Sequence, residues 1–422
     1  MKLRVWVVQI GEQLPVSQGI RRLRALSLCD ALSNEGHKVT WWTTCFNHFH
    51  KKWYFDEDTL IDVNDNFRIC AVKGIGYRTN FSLRRFVDHR ILAWRFSRKI
   101  RKEPQPDVVV ITTPAYDIAY YFAKYCVSRS IPYIIDARDK WPDSFADINS
   151  KILSKLIALT LFRERAMLCW ALKNADVRLG ISKSIKSWIE TYTGNAPALK
   201  TEVLPLGFAR PEAVLECSKR IQDLIGSCRG KKIVTFVGTF GKYHDPSIVL
   251  YAAEMLQDAP VEFIIAGDGE MAEKLREKSC GLTNVHMTGW LDMADIDYIL
   301  KHSYLGICST GNVMERDFFP NKVFLYWAYG LPIGSMFEGE LRDVIREEKV
   351  GFTADSPEQF ISHLRKIIDD PALHKSQSSN ATKIFNESYS QSVIYSTYLK
   401  LIVDVNSNYV RRGAGLGNVQ IN

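Results

Sequence analysis

The stretch Ile131-Pro-Tyr-Ile-Ile-Asp-Ala-Arg-Asp-Lys-Trp-Pro-Asp143 joins an apolar run to a cluster of charges. Residues 131–135 have the composition of a strand buried inside a sheet. In open α/β sheets, ligands bind outside the carboxyl ends of the strands, so the charges that follow this strand are candidates for a cleft wall. The alternative is a capped turn from strand to helix, with Asp139 as the cap and Pro142 at the first helical position.

Strand and helix patterns alternate on both sides of this stretch. The predicted strands are 3–10, 38–44, 107–112, 131–135, 176–180, 232–237, 261–266, 285–288, 305–308 and 332–335, and the longest predicted helices are 20–34, 82–102, 118–128, about 151–174 and 247–256. Such alternation predicts parallel sheets covered by helices, here in two consecutive doubly wound α/β units.

The same patterns predict the domain boundaries. We expect an N-terminal domain over residues 1–204 and a C-terminal domain over 205–388, with the linker at 203–207. The last long helix, at 389–404, has no strand after it and is expected to pack back on the first domain. The polar, glycine-rich residues 406–422 are expected to form a flexible tail.

Composition narrows the class of protein. The chain has 422 residues, 46% hydrophobic and 24% charged, as in soluble globular proteins. The net charge of +8 favours an anionic partner, either a phosphorylated substrate or an anionic membrane surface. Nucleic acid is disfavoured because the basic residues lack interleaved aromatic residues on a strand platform. No segment approaches the roughly 18 apolar residues of a transmembrane helix.

The termini and the cysteines agree with this class. The first residues, MKLRVWVVQIGE, become polar too early for a signal peptide and predict a first core strand. The nine cysteines show no metal-binding spacing. Cys29, Cys45, Cys70 and Cys126 stand in apolar surroundings, which predicts reduced core residues of a cytosolic protein.

A glycine-rich loop, Phe236-Val-Gly-Thr-Phe-Gly-Lys242, lies between a predicted strand and a predicted helix. Gly238, Thr239 and Gly241 would let backbone N–H groups approach a phosphate, and Lys242 would add a charge. The alternative is a plain tight turn between strand and helix.

A second anion-binding candidate is the segment Phe319-Pro-Asn-Lys-Val-Phe-Leu-Tyr-Trp-Ala-Tyr-Gly-Leu-Pro332. Asn321 and Lys322 fall in the first turn of its predicted helix. A cation there opposes the helix dipole at a cost of up to about 1 kcal/mol unless an anion shares the site. Lys322 is therefore predicted to meet a phosphate; the alternative is an exposed lysine on a helix flank.

The helix predicted at 82–102 is strongly basic on one face. Its basic residues are Arg84, Arg85, Arg90, Arg95, Arg98, Lys99, Arg101 and Lys102, and its apolar ones are Leu83, Phe86, Val87, Ile91 and Trp94. This pattern is typical of a helix that binds a membrane surface or an anion. The alternative is an apolar stripe in the core and a solvated basic face.

Two further basic segments lie in the first half. Gly19 precedes Arg21 and Arg22 at the predicted start of the first helix, where arginine is poorly placed unless something negative binds. His48 belongs to a cluster with His50, Lys51 and Lys52 after the second strand, and the spacing of this cluster does not demand a metal.

Together and in this order, the segments resemble family 4 glycosyltransferases with the GT-B fold, above all enzymes that build bacterial O-antigen, capsule and other surface polysaccharides. The resemblance covers about residues 1–400. The residues that carry it are Gly36-His-Lys-Val-Thr40, the D-x-R-D-x-W-P run, Ala175-Asp176, Ile181-Ser182, Leu204-Pro-Leu-Gly207, Phe236–Gly241, Ile265-Ala-Gly-Asp-Gly269, Val285-His-Met-Thr-Gly289, Pro320-Asn-Lys-Val-Phe, Tyr326 and Gly330-Leu-Pro332.

The resemblance implies an α/β GT-B fold, in which two Rossmann-like doubly wound domains face a cleft. It implies retention of the anomeric configuration, a nucleotide diphosphate-sugar donor on the C-terminal domain, an acceptor on the N-terminal domain, no cofactor and no catalytic metal. The acceptor would be a lipid-linked saccharide, and the enzyme would be cytoplasmic and peripheral at the inner face of the plasma membrane. Neither Asp295-Ile-Asp297 nor Asp56-Glu-Asp58 is a persuasive metal-binding DxD site.

Residue roles follow from the same resemblance. Arg138 would stabilise charge and Asp139 would orient the attacking hydroxyl. The implied donor-binding residues are Gly238, Thr239, Gly241, Lys242, Gly267, Asp268, Gly269, Asn321 and Lys322. The implied acceptor-binding residues are Gly19, Arg21, Arg22, His48, Arg84 and Arg85.

One position departs from the family pattern. Many relatives carry two acids eight positions apart, and the second acid holds the donor ribose. Here these positions are Asp317 and Leu325, so either Glu315, Glu338 or Glu340 substitutes or donor binding is weakened. Two alternatives therefore remain open: a non-catalytic GT-B scaffold protein, and a sugar-nucleotide epimerase on the same fold.

Overall fold

The computed structural model describes residues 2–16, 22–79, 82–146, 161–194, 200–211, 216–241, 244–310 and 319–416. Gly19, Arg21, Lys242, Glu315 and Asp317 lie outside the described residues, as do the first ten residues of the helix predicted at 151–174 and the chain end at 417–422. The chain divides into two compact units. Unit 1 is Met1–Pro205 with Tyr395–Asn422, and unit 2 is Leu206–Ile394.

Unit 1 is built on an eight-stranded sheet with the strand order β10-β9-β8-β7-β1-β2-β6-β5. The strands of unit 1 are β1 (Arg4–Val8), β2 (Lys38–Thr44), β3 (Phe46–Asn47), β4 (Lys52–Trp53), β5 (Thr59–Asn64), β6 (Phe67–Val72), β7 (Val108–Thr113), β8 (Tyr133–Ala137), β9 (Val177–Gly180) and β10 (Lys200–Val203). All neighbours in the sheet are parallel except the edge pair β5 and β6. Strands β3 and β4 form a separate antiparallel ribbon.

The helices of unit 1 are α1 (Arg24–Asn34), α2 (Leu83–Lys99), α3 (Tyr116–Arg129), α4 (Phe162–Lys173), α5 (Lys183–Thr193) and, at the chain end, α14 (Gln391–Leu416), of which residues from Tyr395 onward belong to this unit. Ser82 is the N-cap of α2, and its hydroxyl accepts a hydrogen bond from the Arg85 N–H. Ser182 caps α5 in the same way. An aromatic group led by Trp6, Trp42 and Phe122 fills the core between sheet and helices.

Several predicted boundaries in unit 1 are wrong. Strand β8 covers Tyr133–Ala137 rather than 131–135, and α1 begins at Arg24 rather than at residue 20. The sequence reading missed the edge strand β10. The tail expected at 406–422 is helical as far as Leu416. The predicted burial of Cys29, Cys45, Cys70 and Cys126 is confirmed.

Unit 2 contains a six-stranded, fully parallel sheet with the order β13-β12-β11-β14-β15-β16. Its strands are β11 (Lys232–Val237), β12 (Val261–Ala266), β13 (Val285–Gly289), β14 (Leu305–Cys308), β15 (Ile333–Ser335) and β16 (Gly351–Thr353). Its helices are α6 (Lys219–Ser227), α7 (Ser247–Met255), α8 (Ala272–Ser279), α9 (Met293–His302), α10 (Lys322–Ala328), α11 (Gly339–Glu348), α12 (Pro357–Asp369) and α13 (Pro371–Ile384).

Both faces of the unit 2 sheet are buried, as the sequence predicted for a parallel sheet. Along β11, Ile233 and Val237 belong to one apolar cluster, whereas Val234 and Phe236 belong to another. This is the alternation expected when successive side chains of a strand point to opposite faces. The strand order reverses between β11 and β14, so the loop after β11 stands at the topological switch point where such sheets bind ligands.

Within the described residues, none of the helices combines the length and the apolar character needed to cross a lipid bilayer.

Candidate functional sites

Two glycine loops pack backbone against backbone at the carboxyl edge of the unit 2 sheet. Gly238, Gly267 and Gly269 have φ values of 149°, 145° and 156°, a region that favours glycine. A Cβ atom at Gly267 would overlap the carbonyl oxygen of Gly238, and one at Gly269 would overlap that of Phe240. The glycines are therefore required for the close approach of the loops after β11 and β12.

This packing uses the N–H groups that the sequence assigned to a phosphate. The N–H of Gly238 donates to the Ala266 carbonyl at 2.9 Å, and that of Phe240 donates to the Asp268 carbonyl at 2.9 Å. The Gly241 N–H donates to the His244 carbonyl at 3.1 Å. In this structure the N–H groups of Gly238 and Gly241 are therefore paired with carbonyl oxygens of the neighbouring loops.

Lys322 supplies the positive charge at this edge. Its side chain is 91% buried, since only 9% of its surface is exposed. Its Nζ lies 3.7 Å from the centroid of the Phe236 ring, and no described residue accepts a hydrogen bond from it. A Cβ atom at Gly238 would stand 2.9 Å from this Nζ. Gly238 therefore leaves the space in which the ammonium group lies.

Tyr326 fixes the helix that carries Lys322. The buried Tyr326 hydroxyl accepts a hydrogen bond from the Val237 N–H at 2.8 Å and donates to the Ile307 carbonyl at 3.3 Å. A Cβ atom at Gly306 would stand 2.5 Å from the Tyr326 ring. Helix α10 is thus held against β11 and β14.

The surroundings of Lys322 favour an added anion. Burial lowers the pKa of Lys322 to about 8. Burial and the charge of Lys322 together lower the pKa of His244 to about 4, and burial raises the pKa of Cys308 to about 12. A buried ammonium group without a hydrogen-bond acceptor is costly, and a bound phosphate would offset that cost.

Other groups of unit 2 stand at the same edge. A cleft of about 410 Å³ is lined in part by Asp245, Tyr251, Ser309 and Met336, and its volume suits a small-molecule site. Trp290, 71% exposed, follows β13 directly. Sequence reasoning missed Trp290. The available signal was a tryptophan close after the predicted strand 285–288.

In unit 1, the charge run that begins at Asp136, near the end of β8, makes mostly internal contacts. The Asp136 carboxylate is fully buried and accepts hydrogen bonds from Arg24 Nε at 2.8 Å and Nη2 at 3.1 Å. The Arg138 guanidinium is ion-paired with Glu12 and lies 3.5 Å from Asp136. Burial alone would lower the pKa of Arg138, but the two carboxylates raise it above its usual value. This placement favours a positioning role for Arg138 rather than contact with substrate.

The Glu12 carboxylate lies at the start of the first helix, where the sequence predicted a bound anion. Its two carboxylate oxygens accept from the Ala25 N–H at 2.9 and 3.2 Å. The chain itself therefore places a negative charge at the α1 N-terminus. Glu12 and Arg24 were missed because their partners are more than a hundred residues away in sequence.

Asp139, Arg85 and His48 come together around two aromatic rings. The Arg85 guanidinium lies 4.4 Å from the Trp141 ring centroid and 5.3 Å from that of Tyr77. The Tyr77 hydroxyl lies 2.6 Å from His48 Nδ1. We call these five residues the aromatic-basic cluster. It unites one predicted catalytic residue with two predicted acceptor residues.

Charge interactions within the cluster support this grouping. Asp139 lies on the surface of unit 1, and desolvation raises the pKa of its carboxyl while Lys140 and Arg85 act to lower it. Burial, Lys51 and Arg85 lower the pKa of His48 to about 4, so its imidazole is neutral at pH 7. The cluster therefore combines one acid, one fixed cation and one half-buried aromatic ring, that of Trp141, above the buried Tyr77.

Each unit matches a model of a glycosyltransferase family. Residues 23–209 match the family described as Glycosyltransferase Family 4, and residues 231–370 match the family described as Glycosyl transferases group 1. The chain carries glycosyltransferase domains of the GT-B type. A search of curated protein sequences gave no significant match.

Solved structures agree with the fold of this glycosyltransferase. Sucrose-phosphate synthase from Thermosynechococcus elongatus is 12% identical with a TM-score of 0.71, over 96% of this chain and 100% of that one. Anabaena HepE in complex with UDP-glucose is 13% identical with a TM-score of 0.65, over 95% and 100%. The α,α-trehalose 6-phosphate synthase of Burkholderia multivorans is 12% identical with a TM-score of 0.69, over 97% and 100%.

The remaining predicted residues of the glycosyltransferase have several different surroundings. Arg84 donates to the carbonyls of Gly76 and Ile75 at 2.8 and 2.9 Å, which indicates a structural role. Arg22 pairs with Asp30 on the surface. Thr239, Asp268 and Asn321 are exposed at the unit 2 edge, and Asp268 accepts from the Gly269 N–H. Leu325 packs against an apolar cluster of unit 2.

Helix α2 of the glycosyltransferase exposes apolar side chains that the sequence had left open between core and surface. Its buried face consists of Asp88, His89, Leu92, Ala93 and Phe96. Leu83, Val87 and Trp94 are 84%, 46% and 51% exposed. The Arg98 guanidinium lies 4.2 Å from the Trp94 ring centroid. The alternative in which the whole apolar stripe belongs to the core is therefore wrong.

Proposed function

We propose that the chain is a retaining glycosyltransferase that moves a sugar from a nucleotide diphosphate-sugar to a lipid-linked saccharide acceptor. The pathway proposed is that of a bacterial surface polysaccharide such as O-antigen or capsule, as the sequence resemblance implies. The observation that carries the proposal is the buried Lys322 ammonium group at the switch point of unit 2.

The proposal of donor binding is based on the positive charge of Lys322. When the glycosidic bond to the donor breaks, negative charge grows on the leaving diphosphate. A fixed cation in a site of low dielectric stabilises such charge strongly, without needing a metal ion for that purpose. Lys322 has the burial and the position that this role requires. The complex of Anabaena HepE with UDP-glucose supports a uridine donor as the first to be tested.

The acceptor half rests on the aromatic-basic cluster of unit 1. Trp141, which is half-buried, provides a ring that can pack against a sugar, and Arg85 beside it provides a charge for a phosphate of the acceptor. Asp139 is then the group that orients the attacking hydroxyl. A transferase needs one site for each substrate, and each unit carries one candidate.

A lipid-linked acceptor requires access to a membrane surface. The exposed residues Leu83, Val87 and Trp94 of α2, with Arg98 stacked beside Trp94, form a surface suited to the headgroup region at the cytoplasmic face of an anionic membrane. We call these four residues the α2 surface stripe. Arg84 and Arg85 are not part of it, because they contact unit 1 itself.

The donor proposal is tested by thermal stabilisation with UDP, GDP, dTDP and CMP-linked sugars. One diphosphate nucleotide should stabilise the wild-type protein, by about 2.7 kcal/mol at a hundredfold excess over its dissociation constant. Lys322→Ala should abolish this shift. Lys366→Ala is the matched control, because Lys366 is an exposed lysine of the same unit, and it should keep the shift.

Absence of a shift with every nucleotide would overturn the donor proposal. It would favour the non-catalytic alternative, in which the apolar packing of Leu325 reflects a lost ribose site. Product formation from donor alone would instead favour the epimerase. If transfer occurs, the anomeric configuration of the product, read by NMR, tests retention directly.

A further inference from the structure

Unit 2 holds a group of metal-ligating side chains at the end of the sheet opposite the glycine loops. Cys228 directly follows helix α6, Glu262 is the second residue of β12, and His286 is the second residue of β13. Glu262 and His286 therefore stand near the amino ends of neighbouring strands, and Cys228 lies four residues before β11 at the same end of the sheet. Gly238 and Gly267, by contrast, follow the carboxyl ends.

The three donor atoms converge. His286 Nε2 lies 2.8 Å from Glu262 Oε2, and Cys228 Sγ lies 4.0 Å from the same nitrogen. One sulfur, one nitrogen and one carboxylate oxygen all lie within 4.8 Å of one another. In a tetrahedral zinc site, bonds of about 2.0–2.3 Å place ligand atoms roughly 3.3–3.6 Å apart. Movements of about an ångström or less would complete that geometry.

The types of these three ligand atoms favour zinc over other metal ions. Thiolate, imidazole and carboxylate together are ligands of zinc, whereas magnesium and calcium take oxygen ligands. Cys228 is 2% exposed and Glu262 is 4% exposed, so a bound ion would be shielded from water on most sides. The ligands come from three separate segments, which is why no spacing motif reveals them in the sequence.

We propose that Cys228, Glu262 and His286 bind a zinc ion, with water as the fourth ligand. The site is separate from the proposed donor site and serves the stability of unit 2, since it joins the end of α6 to two strands. On binding, the Cys228 thiol releases its proton to solvent. Zinc replaces the proton that His286 Nε2 donates to Glu262, and this proton moves through solvent to Nδ1, so the coordinated imidazole stays neutral.

The ammonium group of the neighbouring Lys231 competes with zinc for the Glu262 carboxylate. Its Nζ lies 2.5 Å from Glu262 Oε1, so the carboxylate is already paired with a cation. Zinc uses the other oxygen, Oε2, which faces His286. The Lys231 pair can therefore remain and orient the carboxylate as an outer-shell partner.

The test is calorimetric titration of metal-stripped, reduced full-length protein with zinc chloride. We expect one high-affinity ion per chain, and a rise in thermal stability on binding. Cys228→Ser and His286→Asn should each weaken binding more than about 100-fold, because each removes a direct ligand. Cobalt(II) should give thiolate-to-metal charge-transfer absorption in the wild type and lose it in Cys228→Ser.

Two matched substitutions control for adventitious binding. Cys280→Ser and His302→Asn replace an exposed cysteine and an exposed histidine of the same unit, and both should bind zinc like the wild type. Circular dichroism of metal-free Cys228→Ser checks that it folds, and His286→Asn, at a partly exposed residue, gives a second variant. Equal zinc affinity in wild type and both ligand variants, or no binding by the wild type, would overturn the proposal.

Discussion

At the scale of single residues, the charge run 136–143 at the end of β8 separates into buried and exposed positions. Asp136 and Arg138 are buried in an ion-pair network with Arg24 and Glu12. Asp143 accepts hydrogen bonds from Arg165, Trp188 and Tyr192 at 2.6–2.7 Å. Of the three acids of the run, only Asp139, a member of the aromatic-basic cluster, is exposed. Residues that form one motif in the sequence therefore have two different surroundings in the structure.

This separation predicts opposite effects for two similar substitutions. Asp136→Asn should lower the free energy of unfolding by about 3–5 kcal/mol, because it leaves buried guanidinium groups uncompensated. Asp139→Asn should change the free energy of unfolding by no more than about 0.5 kcal/mol, as an exposed substitution does. It should lower kcat by about 100-fold if it orients the acceptor hydroxyl.

Urea denaturation and the rate of nucleotide release from the donor measure the two quantities. Each variant is the control for the other, since both replace one carboxylate with an amide in the same run of residues. A stable Asp136→Asn protein, or an Asp139→Asn protein with undiminished kcat, would contradict the assignment for that residue.

Lys322 predicts a conflict between stability and binding. The pKa of its ammonium group falls from 10.5 to about 8 in the folded protein. Below pH 8 the group is charged in both states, and the folded state bears a cost of roughly 3 kcal/mol. Lys322→Met keeps the side-chain length without the charge, so at pH 7 it should be more stable than the wild type by about that amount while losing nucleotide binding.

The sign of the pH dependence follows from proton uptake. Between pH 8 and 10.5 the unfolded chain still holds the Lys322 proton while the folded protein has lost it, so the stability of the wild type rises relative to Lys322→Met. The difference in free energy of unfolding should shrink toward zero by about pH 10.5. Lys366→Met, at an exposed position, should show no such trend. A constant difference across this range would contradict the burial of a charged Lys322.

At the scale of elements, the sequence predicted what local patterns determine. The apolar runs and the alternation with helices predicted both sheets, because buried parallel strands need continuous apolar segments. The short edge strand β10, Lys-Thr-Glu-Val, was missed because only one of its four residues is apolar. The bounds predicted for β8 were two residues too early, since Ile131 and Pro132 are as apolar as the strand itself.

Helix α2 shows a limit of periodicity. The sequence placed Leu83, Val87 and Trp94 on one apolar stripe, but the core selects Leu92, Ala93 and Phe96 instead. Two apolar faces exist on this helix, and the hydrophobic pattern alone does not say which one packs. The polar contacts of Asp88 with the N–H groups of Ile75 and Gly76 help to fix the helix rotation.

The α2 surface stripe predicts membrane binding that depends on both apolar and charged groups. The double substitution Leu83→Ala and Trp94→Ala should reduce partitioning onto anionic vesicles at least tenfold, because it removes the exposed apolar area. Arg98→Glu should reduce it by about ten- to thirtyfold at low salt, and less at high salt. Vesicle co-sedimentation measures both effects.

A matched surface substitution controls this experiment. Met255→Ala removes a half-exposed apolar side chain from unit 2 and should leave vesicle binding unchanged. Wild-type binding that is insensitive to the double substitution and to Arg98→Glu would contradict the membrane role of α2, while leaving the donor proposal intact.

At the scale of the whole molecule, the contacts that close unit 1 could not be read from the sequence. Arg138 pairs with Glu12 across 126 positions, and the Tyr395 hydroxyl meets the Arg24 carbonyl across 371. Local patterns carry no information about such pairs, whereas they do specify strands and helices. The sequence could predict that a last helix returns, because no strand follows it, but not the residues that receive it.

The returning helix predicts that the two units respond differently to one substitution. Tyr398 of α14 is fully buried in unit 1, and the Arg24 guanidinium lies 5.1 Å from its ring centroid. Tyr398→Ala should destabilise unit 1 by about 3–5 kcal/mol, as other large buried aromatic truncations do. Hydrogen exchange should accelerate in β1 and β7 but not in β11 and β12, and nucleotide binding by unit 2 should persist. Val410→Ala, at a residue that is 59% exposed on the same helix, should leave exchange unchanged in both units. Accelerated exchange in β11 and β12, or loss of nucleotide binding in Tyr398→Ala, would contradict the independence of the unit 2 site.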